Sequence, residues 1–319
     1  MLKLILSIAG LFGGHDGLEP TDRLIPPGYQ GNPWGPVANE ARRAGALPPI
    51  PMTPAMTQWD GWGRKVLRDG DVLFRRGDGR VLMGAFPFSR FIAAASGSYF
   101  SHTGIAAIED GSPFIYDMTK AGVRRQPFSV WVLDNVGPVG VKRPRPEHQA
   151  KIPQVLAFCR DTYARQVAFD FDLKIDDNEL YCVEMTEKAF RSVGLKLSDP
   201  VLLGDMENAS RFPICMWAFA TFSKLTLDQP VFFPGNPRHG IWSSRDLLTV
   251  YDPSRDPKFE PPVGSKVGDP LGWLLADLQR IGDPARPRSK PVAPRTDSKP
   301  EASTPSANPS AARAGQSRS

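Results

Sequence analysis

In the stretch NELYCVEMTEKAF, residues 178 to 190, a cysteine stands where a helix begins. From Val183 onward, Met185, Thr186, Ala189, Phe190 and Val193 recur at spacings of three and four, which predicts an amphipathic helix. Asn178 can serve as its N-cap and Gly194 as its stop, with Glu184 and Lys188 forming an exposed i,i+4 pair. At such a helix start the dipole and the free backbone N–H groups favour an anion, so the thiol of Cys182 is expected to ionise readily. A thiolate there is a nucleophile for a carbonyl carbon. A buried cysteine can equally be a small apolar side chain, and what separates the two readings is a base.

The chain has four histidines, His15, His102, His148 and His239. His15 lies in a Gly-rich N-terminal segment and His239 in the loop GNPRHG, so both read as solvent-facing, and His148, just before a long helix, reads as a surface or capping residue. His102 differs. It begins a predicted strand in SYFSHTGIAAIEDGSPFIYDM, and its strand face continues through two small residues, Gly104 and Ala106.

Asp110-Gly111 is a two-residue type I′ signal between two strand-like runs. That turn pairs Glu109 with Ser112, and counting back sets Gly104 opposite Asp117. His102 and Asp117 then become diagonal neighbours on one face, roughly 7–8 Å apart at the backbone and within side-chain reach. Asp117 can orient the imidazole of His102 as the acid of a catalytic triad does. A three-residue loop would shift the register and break the pairing.

The elements that hold these residues belong to an ordinary globular chain of 319 residues with 41% hydrophobic and 23% charged residues. The net charge of +5 is concentrated at one end: residues 283 to 319 carry seven Lys or Arg against three Asp or Glu, or +4, leaving +1 for the rest. No basic patch interleaved with aromatics stands out, which argues against nucleic acid as a partner. The three cysteines, Cys159, Cys182 and Cys215, are far apart, and neither CxxC nor HxxxH occurs. That spacing offers neither a disulfide framework nor a metal site, and no cofactor is called for. Cys159 shares an apolar face with Ile152, Val155, Leu156 and Tyr163 and reads as core. The run FPICMWAFATF around Cys215 is too short to span a bilayer and reads as a buried helix that could also line an acyl pocket. The N-terminal MLKLILSIAGLFGG resembles a weak signal peptide without a clear cleavage site, so the location, cytoplasmic or exported, stays open.

Along the chain we expect four parts. Residues 1–61 form a Gly/Pro-rich arm whose Trp34 and Trp59 suggest packing on the body. Residues 62–255 form one α+β domain, with a strand at Val72 to Phe74, a helix at 88 to 96, the His102 hairpin, a long helix at about 149 to 166 and a late strand LLTVY. Residues 256–282 hold an amphipathic helix, DPLGWLLADLQRI, and residues 283–319 a basic Pro/Ser/Ala-rich tail that cannot bury a core.

The order GDVLF, then SYFSHTGIAAIEDGSPFIYDM, then DLKIDDNELYCVEMTEKAF resembles the permuted papain-like amidases, the YiiX/YaeF-like relatives of the NlpC/P60 cysteine peptidases. The resemblance covers about residues 66 to 250. It implies a circularly permuted papain-like fold, an antiparallel sheet packed against the helix that carries the nucleophilic cysteine. It also matches Cys182 to the nucleophile, His102 to the base and Asp117 to the third polar residue. The family often has Ser after the cysteine and Glu as the acid, where this chain has Val183 and Asp117. The activity implied is hydrolysis of an amide bond, peptide, peptidoglycan-derived or acyl-amide, through an acyl-enzyme. Acyl transfer to a lipid-like acceptor by the same thiol, and a catalytically silent binding module, are the alternatives.

Overall fold

The computed structural model describes residues 19–253 apart from 27, 78, 80–87, 136, 138, 177 and 224. The expected N-terminal signal-like stretch, the amphipathic helix after Asp269 and the basic tail lie outside these residues.

In chain order the described elements begin with a 3-10 turn at Pro20–Leu24 and helices α1 (Pro36–Arg43) and α2 (Pro54–Val66). Strand β1 (Val72–Arg75) and helix α3 (Phe88–Ala95) follow. A meander of β2 (His102–Glu109), β3 (Ser112–Thr119) and β4 (Gly122–Pro127) leads into the short helix α4 (Phe128–Trp131). Next come β5 (Gly140–Pro144), α5 (Ile152–Ala164), α6 (Cys182–Arg191), β6 (Val201–Leu202), α7 (Pro213–Ser223), β7 (Pro230–Val231) and β8 (Leu247–Tyr251).

The main sheet has six strands in the order β4-β3-β2-β1-β5-β8, with every neighbouring pair antiparallel. Residue alternation divides its faces. Val72, Phe74, Ile105, Ala107, Tyr116 and Met118 pack with Val183, Met185, Ala189 and Phe190 of α6 and with Val155, Leu156 and Cys159 of α5. Leu73, Ala106, Ile115 and Val141 point the other way, against Trp59 of α2 and Phe128 and Trp131 of α4. The structure is thus α+β, an antiparallel sheet backed by the helix that begins at Cys182.

Several local expectations change. Helix α2 runs across the expected boundary between the Gly/Pro-rich arm and the domain: Thr53 caps it by accepting from the N–H of Met56 at 3.2 Å, and Pro54 sits in its first turn. Glu184 and Lys188 do pair, at 3.1 Å, but Glu184 is fully buried, because α6 is covered on nearly every side. Helix α7 is not buried as a whole, since Ile214 and Trp217 are 77% and 65% exposed.

Candidate active site

The β2–β3 turn is the predicted one. Asp110 and Gly111 both have positive φ, 48° and 72°, as a type I′ turn requires. The ladder runs from Glu109–Ser112 to Gly104–Asp117, the register read from the sequence. His102 is the first residue of β2, paired on its other side with Arg75 of β1. The diagonal approach closes to a hydrogen bond of 2.7 Å between His102 Nε2 and Asp117 Oδ2. Gly104 makes room for it: a Cβ there would lie 2.6 Å from Cγ2 of Ile115 and 3.3 Å from Cβ of Asp117.

Asp117 is surrounded by donors. Arg124, directly opposite on β4, donates from Nε to Oδ1 at 2.9 Å and from Nη2 to Oδ2 at 2.6 Å. Trp131 Nε1 donates to Oδ2 at 2.8 Å. Burial alone would push the carboxyl up, but the charge of Arg124 and the bonds from His102 and Arg124 hold it well below the usual carboxylate range. An ionised carboxylate only accepts, so Nε2 of His102 must carry its proton. In the neutral ring Nδ1 is then the bare, basic nitrogen.

Behind this pair lies a buried charge cluster that the sequence did not reveal. Arg75, fully buried, contacts Glu19, Asp134 at 3.4 Å and Asp117 at 3.6 Å, and its guanidinium lies over the Trp131 ring at 4.8 Å. Arg124 also bonds Asp22 at 2.8 Å, Asp134 at 3.0 Å and the Thr21 hydroxyl at 2.8 Å. Residues Glu19 to Asp22 of the N-terminal segment therefore complete the back of the site. Burial pushes the Glu19 carboxyl well up, while Arg75 and Arg124 hold that of the buried Asp134 down.

Cys182 reaches the same end of the sheet from the opposite face. Helix α6 begins at Cys182, its cap residue being Tyr181 and not Asn178. The Tyr181 N–H donates to Glu184 Oε2 at 3.4 Å, and the Tyr181 hydroxyl accepts from the Phe232 N–H at 2.6 Å, which fixes the helix start. Thr103, next to His102, ties strand to helix: its hydroxyl donates to the Cys182 carbonyl at 3.3 Å and lies 2.9 Å from that of Thr186. The Cys182 thiol is 3.9 Å from the Ser101 carbonyl oxygen. His102 and Cys182 both line one narrow cavity of about 80 Å3.

The protonation states differ from the sequence expectation. Burial, then the charge of Arg75, pushes His102 down to about 4, against the pull of Asp117. Burial pushes the Cys182 thiol up to about 12, outweighing the N–H groups of Thr103 and Val183 that lower it. Cys182 keeps some exposed surface as a residue, yet desolvation still wins over the helix start. The resting site at pH 7 holds a neutral thiol and a neutral imidazole.

The other candidates lie elsewhere. His148 bonds Asp246 at 2.9 Å, and His239 lies 3.9 Å from Glu207. Cys159 is fully buried in the core. Among the described residues, no group of three or more His, Cys, Asp or Glu is placed to hold a metal ion. Arg124 was within reach of sequence reasoning: extending the meander through the Thr119–Gly122 turn sets it opposite Asp117. Glu19 carried no such signal, being 56 residues from Arg75.

A family model described as the permuted papain-like amidases of the YaeF/YiiX type matches residues 66–225, a span that contains His102, Asp117 and Cys182. Among solved structures, the metalloprotein yiiX from Escherichia coli O157:H7 is similar at 19% identity and a TM-score of 0.48, over 61% of this chain and 98% of that one. No curated protein matches by sequence.

Proposed function

This chain belongs to the permuted papain-like amidase family, and from that premise we propose that it cleaves an amide bond with Cys182 as nucleophile, His102 as base and Asp117 as orienting acid. The observation that carries this reading is the 2.7 Å bond that commits His102 Nε2 to an ionised Asp117 and leaves Nδ1 as the proton acceptor, beside a cavity shared with Cys182.

Because both groups rest neutral, proton transfer and attack run together. Nδ1 of His102 takes the thiol proton as Sγ bonds to the carbonyl carbon, and the carbonyl π pair moves onto oxygen. The backbone N–H of Cys182, at the start of α6, stabilises that oxyanion. Collapse breaks the C–N bond, and the imidazolium returns its proton to the departing amine. Water then attacks the thioester with His102 as base, the S–C bond breaks, and the thiol regains its proton. An acceptor amine or alcohol in place of water would make the same sequence an acyl transfer. The buried Asp117 keeps the imidazolium stable while it exists.

The test is an acid-quenched reaction with p-nitrophenyl acetate, followed by peptide mass analysis. We expect acetyl on Cys182, absent in Cys182→Ala and formed at least about a hundredfold more slowly in His102→Ala. Acetylation confined to lysines would remove the nucleophile assignment. A second reading, a binding module with a silent thiol, is favoured by one observation: burial pushes Cys182 up to about 12, as in an inert core cysteine. Absence of the Cys182 adduct would select it.

A further inference from the structure

The cavity beside Cys182 is apolar over most of its wall, lined by Phe88, Met118, Phe169, Phe171 and Leu173. Its polar lining includes Ser89, Ser101 and Lys120 as well as Thr119, whose hydroxyl donates to Asp22 at 3.1 Å, and Asp22 in turn bonds Arg124.

Three of the five apolar residues come from one loop, and that loop is built onto the nucleophile. Phe169 bridges to Leu180, two residues before Cys182, and the Asp170 N–H donates to the Leu180 carbonyl at 3.0 Å. Inside the loop the Asp172 N–H donates to Asp170 Oδ1 at 2.7 Å. Gln229 Nε2 donates to the carbonyls of Asp172 and Leu173 at 2.6 and 2.8 Å. Leu173 is held at φ 49°, a left-handed conformation costly for a leucine, with its side chain buried. Phe171 stays 53% exposed while meeting Phe169 edge to face at 5.0 Å. A half-exposed aromatic at the rim of an apolar cavity is a surface waiting for an apolar partner.

We infer that the Phe169–Leu173 loop is the acyl-binding wall, and that the substrate is the amide of a hydrophobic, aliphatic or aromatic, carboxylic acid. This rests on Cys182 being the nucleophile. The assignment to the acyl half follows from the chemistry: the acyl group stays on Sγ through the intermediate, so it needs a wall continuous with Cys182, whereas the amine leaves with a proton from His102. Helix α7, the run that the sequence suggested could line an acyl pocket, contributes none of the described residues that line this cavity.

Alkyl chloromethyl ketones, R–CO–CH2Cl, carry R on the acyl side. Sγ displaces chloride, the thiol proton passing to His102 or solvent, and no turnover is needed. Rates of Cys182 labelling would be followed by peptide mass analysis for R from methyl to heptyl, with Cys215 as internal reference. We expect the Cys182 rate to rise about fourfold for each methylene that enters the cavity, then level off. Phe171→Ala should slow the longest reagent about tenfold and leave the methyl reagent unchanged, while Ile175→Ala, an exposed change two residues beyond the loop, alters neither. Length-independent labelling of Cys182, or an unchanged length dependence in Phe171→Ala, would overturn the acyl wall and leave the nucleophile standing. If Cys182 labels no faster than Cys215 with any reagent, the nucleophile reading falls and takes this one with it.

Discussion

Arg124 stands directly across the β3–β4 ladder from Asp117 and donates two hydrogen bonds to its carboxylate, at 2.9 and 2.6 Å. Asp117 can therefore stay ionised while almost fully buried, and its charge is what fixes the proton of His102 on Nε2. Removing one partner of a buried pair is costlier than never having had the pair, because the other charge is left unsolvated. Arg124→Met should destabilise the fold by about 3–5 kcal/mol in urea unfolding, with Arg124→Lys losing less. A loss below about 1 kcal/mol would show that the cluster does not depend on this arginine.

Asp117→Asn removes the charge and keeps the shape. The imidazole then loses the group that selects its tautomer, and kcat should fall by about a thousandfold or more with KM little changed. An unchanged kcat would mean that Asp117 does not orient the base.

The depressed His102 sets a pH dependence of stability. Unfolded, the imidazole titrates near its ordinary value of 6.5; folded, it titrates near 4. Between those values the unfolded chain binds the extra proton, so stability rises with pH there, is complete above 6.5 and is lost as pH falls towards 4. The contribution is about 3 kcal/mol, and His102→Gln should flatten that part of the profile. The same titration should put the acid limb of kcat/KM near 4. A limb near 6.5 would show that the imidazole is not desolvated in the free enzyme.

Gly104 should tolerate no side chain. Gly104→Ala drives a methyl against Ile115 and towards Asp117, costing about 1–3 kcal/mol and lowering kcat by moving the acid. Ile115→Ala, which removes the Cγ2 that meets this methyl, should cost less in the Gly104→Ala chain than on its own, and simply additive losses would place the clash elsewhere.

Much of the site is local arithmetic. Glycine in a two-residue turn permits one twist, that twist sets one register, and the register brings Asp117 to His102. The start of α6 followed from the three-and-four spacing of its apolar residues, apart from its cap, where Tyr181 replaces Asn178 because Glu184 binds back to the Tyr181 N–H. The family resemblance and the antiparallel sheet rest on these same short runs.

What the sequence by itself determined is the order and register of elements whose partners lie within a few residues or one turn. The tertiary structure decided everything that depends on burial and distant approach. It brought Glu19 to Arg75, buried Glu184, and put the Cys182 helix on the opposite sheet face from Gly104, so that thiol and imidazole share only the cavity at the sheet's end. It also reversed the expected ionisation. A helix start lowers a thiol pKa by a local field, but the desolvation that raises it depends on how many other segments close over the site, which no local pattern records.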